Sequence, residues 1–212
     1  MNSSSVINVF LRNPVPGKVK TRLAQAVGDE TALKVYLALL EKTRLAIKDL
    51  EQSKNLWFDD YIPDPTSFED WGKNSPTKLI QQGSDLGEKM HNAFLHCFRN
   101  GARSAIIIGS DCPGLHSIHI MEAFRILEQN DAVLGPANDG GYYLIGLNQD
   151  VPSLFQNMEW STNRVFAESL ERLQWARKHV GILPKLSDLD TIEDLREWES
   201  KGGFSWSKNS PE

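Results

Sequence analysis

Cysteine is scarce: Cys97 and Cys112 are the only two in a chain of 212 residues. Two lone thiols supply neither a zinc site nor a disulfide framework. No apolar run reaches the length of about 18 residues that a membrane-spanning helix needs, so none is expected. The opening Met-Asn-Ser-Ser-Ser-Val-Ile has no basic segment followed by a long apolar one. It therefore does not read as a signal peptide, and the cytoplasm is the expected location. Positive charge is not in excess either. A formal net charge of -5 argues against a general nucleic-acid binder. The loop Gly-x-x-x-x-Gly-Lys-Ser/Thr is missing, because Gly17-Lys18 lacks both the earlier glycine and the following hydroxyl residue. No Gly-x-Ser-x-Gly or Ser-His-Asp pattern occurs. None of His91, His96, His116, His119 and His179 has a partner at metal-ligand spacing.

What is present is ordinary soluble composition, 40% hydrophobic and 24% charged, at a length that suits one large domain. Strand-like and helix-like stretches alternate. Val6 to Leu11 reads as a first strand, Leu56 to Ile62 as a second and Lys78 to Gln82 as a weak third. Ala105 to Ile108 is a short apolar run suited to a strand buried on both faces. Asp131 to Gly135, Tyr142 to Leu147 and Val180 to Leu183 complete the set. Helical periodicity runs from Thr31 to Leu50, from Ser84 or Asp85 to Cys97, and from Ser117 to Leu127. Further helices are expected over 66–71, from Ser161 or Thr162 to about Lys178, and from Ile192 to Trp198. Residues 1–200 thus read as one α/β domain around a mostly parallel sheet, with a frayed tail over 201–212.

Four polar loops follow strands and carry the candidate chemistry. In Gly109-Ser110-Asp111-Cys112-Pro113-Gly114, a carboxylate sits where open α/β sheets bind ligands, at the carboxyl end of a central strand. Asp111 is a candidate metal or catalytic residue; a turn or helix cap is the plainer alternative. The loop Arg12 to Arg22 combines a Pro16-Gly17 turn with Lys18, Lys20 and Arg22, cations that can neutralise a di- or triphosphate or simply be solvated. Asp139-Gly140-Gly141-Tyr142 offers backbone amides and a carboxylate to a sugar, and is equally a hairpin turn. Asp188-Leu189-Asp190-Thr191 holds a second carboxylate for a metal, or an N-cap. Trp160-Ser161-Thr162 pairs an aromatic ring with hydroxyls, either for a ligand or as a core anchor and cap.

Five motifs occur in order: Pro14-Val15-Pro16-Gly17-Lys18-Val19-Lys20-Thr21-Arg22-Leu23, Gly83-Ser84-Asp85-Leu86-Gly87, Gly109-Ser110-Asp111-Cys112-Pro113-Gly114-Leu115, Gly135-Pro136-Ala137-Asn138-Asp139-Gly140-Gly141-Tyr142-Tyr143-Leu144 and Trp160-Ser161-Thr162. Together they resemble the bacterial family known as domain of unknown function 2064, within the nucleotide-diphospho-sugar transferase superfamily. The resemblance implies a GT-A-like, Rossmann-like three-layer α/β sandwich with a mixed, mostly parallel sheet. It implies a glycosyltransferase-like transferase using Mg²⁺ or Mn²⁺, with a nucleotidyltransferase that releases pyrophosphate as the alternative and a non-catalytic nucleotide-binding module as a third reading. The implied ligands are a nucleotide or nucleotide-sugar and a small-molecule acceptor. Asp111, Lys20 and Arg22 would be catalytic, and Asp111 with Asp190 would hold the metal. Arg12, Gly17, Lys18, Lys20, Arg22 and Asp85 would contact the nucleotide. Asp139, Gly140, Gly141, Tyr142, Trp160 and Thr162 would face the acceptor or sugar.

Overall fold

The computed structural model describes residues 4–64 and 66–204. Its strands are β1 (Ser5–Leu11), β2 (Ser53–Phe58), β3 (Thr77–Ile80), β4 (Ser104–Ile108), β5 (Ala132–Pro136), β6 (Tyr142–Leu147) and β7 (Val180–Ile182). The helices are α1 (Thr21–Val27), α2 (Asp29–Ile47), α3 (Leu86–Arg99), α4 (Ser117–Leu127), α5 (Val165–Trp175) and α6 (Ile192–Ser200). The seven strands form one sheet in the order β3-β2-β1-β4-β6-β5-β7. Every neighbouring pair is parallel except those made by β6, which lies antiparallel between β4 and β5. The sheet is therefore mostly parallel, as the alternation of elements predicts, and mixed, as the family resemblance implies.

Side-chain alternation assigns the layers. Along β4, Ile106 and Ile108 enter one apolar cluster, with Tyr36 and Leu40 of α2 and Ile120 and Ala123 of α4. Ala105 and Ile107 enter the opposite cluster, with Met90 and Phe94 of α3 and Leu173 of α5. A strand buried on both faces has no polar side to offer, which is why the sequence shows an unbroken apolar run there. A third cluster joins Leu23 of α1, Leu39 of α2, Leu189, and Leu195 of α6. It holds the chain after β7 against the loop after β1. One polar knot lies inside: the Asn8 carboxamide accepts from Trp57 Nε1 at 2.8 Å and donates to the Ile106 carbonyl at 3.0 Å, so its burial leaves neither end unpaired.

Several sequence expectations are corrected. No helix forms over 66–71; residues 66–68 make a turn, and Phe68 has φ 66, which ends any right-handed helix. The helix expected from Ser161 or Thr162 starts only at Val165, since Ser161 is itself left-handed at φ 64. β2 stops at Phe58, short of the expected Ile62, and just beyond it the Asp59 carboxylate accepts from the Asn13 amide at 2.7 Å. α1 was hidden inside what reads as a cationic loop; it buries a single residue, Leu23. Of the frayed tail expected over 201–212, residues 205–212 lie outside the described residues.

Candidate functional site

The chain turns one way from β1 to β2 and β3 and the other way to β4, so a crevice opens beyond the carboxyl ends of β1 and β4. The loop after β1 enters it through a turn. Gly17 adopts φ 73, and the Lys18 amide donates to the Val15 carbonyl at 3.1 Å, which is the turn that Pro16-Gly17 predicts. Tyr36 of α2 pins the start of this loop. Its hydroxyl accepts from the Arg12 amide at 2.9 Å and donates to the Arg12 carbonyl at 3.0 Å, and it lies 3.4 Å from Ser110 Oγ. Burial, offset in part by the Ser110 hydrogen bond, pushes the Tyr36 hydroxyl up to about 12, so it stays protonated and able to donate. The buried Asn13 ties the same loop to the β2 edge, accepting from the Asp60 and Tyr61 amides at 3.2 Å each. Tyr36→Phe should therefore cost about 1–2 kcal/mol of stability. It should also weaken nucleotide binding several-fold by freeing the Arg12 backbone; denaturant melts and calorimetric titration read the two effects separately.

Lys20 is the centre of the site. It sits at φ 48, immediately before α1, with only 3% of its side chain exposed. Its ammonium lies 2.6 Å from Asp111 Oδ1 and 3.0 Å from Asp190 Oδ1. Burial lowers its pKa, but the charges and hydrogen bonds of Asp111 and Asp190 outweigh it, and the net shift is upward. The 188–190 segment is held there by the Leu189 amide, which donates to the Asp111 carbonyl at 2.9 Å. The N-cap of α6 is Thr191, whose hydroxyl accepts from the Asp194 amide. That leaves the Asp190 carboxylate available to Lys20 instead of capping the helix.

Asp188 lies beside this group. Burial first, then the charges of Asp139, Asp111 and Asp190, push its carboxyl up to about 7. A raised folded value favours the neutral acid in the fold. Its contribution to stability is complete below the ordinary carboxylate value near 4 and is lost as pH rises through about 7. Asp188→Asn should consequently melt above the wild type in metal-free buffer at pH 8, by at most about 4 kcal/mol, with the gap vanishing towards pH 4.

Asp139 is in a hairpin turn, as its Asp-Gly pair allows. β5 and β6 are joined there, and Asp139 Oδ1 accepts from the Gly141 amide at 2.8 Å. Gly140 is obligatory, with φ 91 and room for no Cβ, which would fall 2.2 Å from the Asn163 carbonyl oxygen. The turn and the cavity role are compatible, because Asp139 still lines the crevice. Asp85 caps α3 by accepting from the Glu88 amide at 2.8 Å, and it too reaches the cavity.

The resulting cavity has a volume of about 740 Å³, within the range of small-molecule sites. Of the residues singled out in the sequence, Arg12, Lys20, Arg22, Asp85, Asp111, Asp139, Tyr142 and Asp190 line it. Gly17, Lys18, Gly140, Gly141, Trp160 and Thr162 do not. Lys18 faces Asp60 at 3.8 Å, and both side chains are exposed. Trp160 packs over Gly87, where a Cβ would meet its ring at 2.6 Å, and Thr162 Oγ1 donates to the Glu159 carbonyl. Ser161 lines the cavity in their place. The Cys112 thiol is buried and pushed up to about 12 by burial and by Asp188, so it is no nucleophile at neutral pH.

The lining is electrostatically mixed. Asp59, Asp85, Asp111, Asp139 and Asp190 contribute five carboxylates, against the four cations Arg12, Lys20, Arg22 and Lys89. Among the described residues no group of three or more His, Cys, Asp or Glu is arranged to hold a metal ion by itself. Two carboxylates do converge on one cation, since Asp111 and Asp190 share the Lys20 ammonium. Paired carboxylates completed by phosphate oxygens are the usual protein share of a Mg²⁺ site. Among the described residues no helix is long and apolar enough to cross a membrane.

The order of strands, the antiparallel β6 and the crevice at the β1/β4 divide define the fold of the nucleotide-diphospho-sugar transferase superfamily, as solved structures bear out. A candidate nucleotide-diphospho-sugar transferase from Desulfovibrio desulfuricans superposes with a TM-score of 0.87 and 33% identity over 98% of this chain and 89% of that one. The chain belongs to the bacterial family described as an uncharacterized protein conserved in bacteria, domain of unknown function 2064, whose model matches residues 43–162. Two more distant structures share the fold alone. One is 4-diphosphocytidyl-2C-methyl-D-erythritol synthase from Anaerococcus prevotii, with a TM-score of 0.61 and 8% identity over 95% of this chain and 99% of that one. The other is the manganese complex of Rv0371C from Mycobacterium tuberculosis, with a TM-score of 0.52 and 13% identity over 91% and 96%. A search of curated proteins finds no match.

Sequence reasoning missed Tyr36, Asn13, Ser110, Asp59, Gln81 and Lys89. Tyr36 fell on the apolar face of α2 and read as core; its hydroxyl carries the role. Asp59 and Gln81 directly follow β2 and β3, so the rule that picked out Asp111 at the end of β4 also applies to them.

Proposed function

We propose that the protein is a metal-dependent transferase acting on a nucleotide-sugar, with the nucleoside diphosphate as leaving group. The observation that carries this reading is the Lys20–Asp111–Asp190 arrangement in a cavity with more carboxylates than cations. A diphosphate entering alone would meet net negative charge; one entering with a divalent cation would not. Asp111 and Asp190 would hold Mg²⁺ or Mn²⁺ together with phosphate oxygens. That cation, when bound, neutralises the diphosphate and so eases its departure. The manganese complex of a protein of the same fold is in keeping with this.

The remaining work falls to the chain's own side chains. Arg12 and Arg22, which make no ion pair among the described residues, would each grip a phosphate oxygen. Lys20, moving off Asp111 and Asp190, would donate to the bridging or terminal oxygen of the leaving diphosphate. Asp139, in the turn between β5 and β6 that lines the cavity, would accept from an acceptor hydroxyl. In the transfer itself, the acceptor oxygen would form a bond to the sugar C1 as its proton passes to the Asp139 carboxylate, while the C1–O bond breaks and its electron pair leaves with the diphosphate. Gly17, Lys18, Gly140 and Gly141 would shape the two loops, with Tyr142 facing the sugar; Trp160 and Thr162 would support the loop that carries Ser161.

Nucleotidyl transfer is the second reading, favoured by the uncompensated pair Arg12 and Arg22, which suit a leaving pyrophosphate. Incubating the protein with nucleotide-sugars or with nucleoside triphosphates and Mn²⁺ separates the two. Metal-dependent release of nucleoside diphosphate supports glycosyl transfer, release of pyrophosphate supports the second reading, and release of neither over any donor with a range of hydroxyl acceptors leaves a binding module.

A further inference from the structure

We infer that the far pole of the cavity reads a guanine base, so that the donor is a guanosine nucleotide; this rests on the nucleotide reading above. From Asp111 at the end of β4, the crevice crosses β1 and β2 to β3. Gln81 reaches back from the end of β3 to the Leu11 and Trp57 carbonyls of β1 and β2, so a base would sit over the β1–β2 end, up to two strand spacings or about 10 Å from phosphates at Asp111. Four side chains that no other part of the site uses gather there. Asp59 and Gln81 directly follow the paired residues Phe58 and Ile80, and the Gln81 amide donates to the Phe58 carbonyl at 2.8 Å. Asp85 and Lys89 sit one turn apart at the start of α3, with the Lys89 amide on the Asp85 carbonyl at 3.1 Å. All four line the cavity.

What each can still offer is fixed by the bonds it already makes. Both amide hydrogens of Gln81 are committed, to the Leu11 and Trp57 carbonyls at 3.1 and 3.0 Å, so only Oε1 remains for a ligand. One oxygen of Asp59 takes the Asn13 amide and one oxygen of Asp85 takes the Glu88 amide, leaving an acceptor on each. Lys89 makes no ion pair among the described residues and supplies the one cationic donor. The pole thus presents several acceptors and one donor. Guanine is complementary: N1–H and the 2-amino group donate side by side, and O6 accepts. Cytosine and uracil each present two acceptors and a single donor position, and adenine lacks the adjacent pair of donors. Leu86, 42% exposed although apolar, lies between Asp85 and Lys89 in the chain and lines the same pole, where it would support the face of the ring.

Calorimetric titration of the full chain in Mn²⁺ with GDP, IDP, ADP, CDP and UDP tests this. GDP should bind most tightly. IDP, which lacks only the 2-amino group, should bind on the order of tenfold more weakly, the usual discrimination of a good paired contact to a base. Asp85→Asn keeps an oxygen for the α3 cap, and Lys89→Met keeps the stem; each should lower the GDP-to-CDP affinity ratio by about tenfold. Equal affinity for GDP and IDP, or a preference for CDP, UDP or ADP, overturns the guanine assignment while leaving the nucleotide reading in place. Failure of every diphosphate to bind overturns both.

Discussion

Asp111→Asn should abolish the metal-dependent part of nucleotide binding while leaving the protein folded. Asp111 is the residue on which the proposed cation site and the fold meet. Its main-chain carbonyl receives the Leu189 amide and its side chain receives Lys20, so the backbone contact survives the substitution. Removing even an outer partner of a metal ligand costs 10–100-fold in metal affinity, and losing a ligand itself costs no less, so a fall on the order of 100-fold is expected. The cost to stability is smaller. Lys20 keeps Asp190 at 3.0 Å, and the Asp111 side chain is half exposed, which screens its share of the pairing. A loss of about 1–3 kcal/mol follows from one charge-assisted hydrogen bond, towards the low end. Titration of nucleotide in Mn²⁺ and in chelator, beside a denaturant melt, reads both quantities. Unchanged affinity in Mn²⁺ would remove Asp111 from the site, and a wholly unfolded variant would make it a structural residue.

Lys20→Met should have opposite effects on the two ligands. The methionine fills the space of the buried stem but brings no charge. Phosphate binding should weaken by tenfold or more, the approximate loss of one desolvated charge-assisted contact. Divalent cation binding without nucleotide should instead tighten. Asp111 and Asp190 now hold an internal ammonium at 2.6 and 3.0 Å, and any metal must displace or share it. Removing a like charge of that proximity is worth at least about 1.4 kcal/mol at a protein-surface dielectric, so the gain is on the order of tenfold. The pH profile supplies an independent check. The Lys20 value is raised in the fold, so the pairing stabilises fully below the unfolded lysine value near 10.4 and is lost as pH rises through the folded one. Wild type should therefore lose stability in that alkaline window and Lys20→Met should lose less. Electron paramagnetic resonance of free Mn²⁺ measures the first effect; weaker Mn²⁺ binding by the variant would show that Lys20 helps to build the metal site and does not compete for it.

The element order and the mostly parallel sheet were legible because the signals are local. An apolar run ending in Gly-Ser-Asp marks a buried strand and its functional end, and Asp-Gly between two apolar runs marks the β5–β6 hairpin that turns β6 against its neighbours. The same locality explains what was hidden. Lys20 and Asp190 are 170 residues apart, and they meet through the packing of α6 and Leu189 against α1 and α2 and through the Leu189 amide on the Asp111 carbonyl. Spacing read Lys18, Lys20 and Arg22 as one cationic group, yet the turn at Gly17 and the left-handed Lys20 send them in different directions: Lys18 to the exposed Asp60, Lys20 inward. The plainer readings were partly right as well. Asp139 does make a hairpin turn and Asp85 does cap a helix, and each keeps a foot in the cavity. The N-cap expected in Asp188-Leu189-Asp190-Thr191 is Thr191.

The most direct measurement is an anomalous difference map from crystals grown with Mn²⁺ and a nucleoside diphosphate. The expected result is a single manganese peak at coordination distance from both Asp111 and Asp190, with phosphates between it and Arg22 and the Lys20 ammonium moved onto a phosphate oxygen. Manganese bound elsewhere, or a nucleotide seated with Lys20 still locked between its two carboxylates and no metal beside it, would contradict metal-dependent transfer at this site.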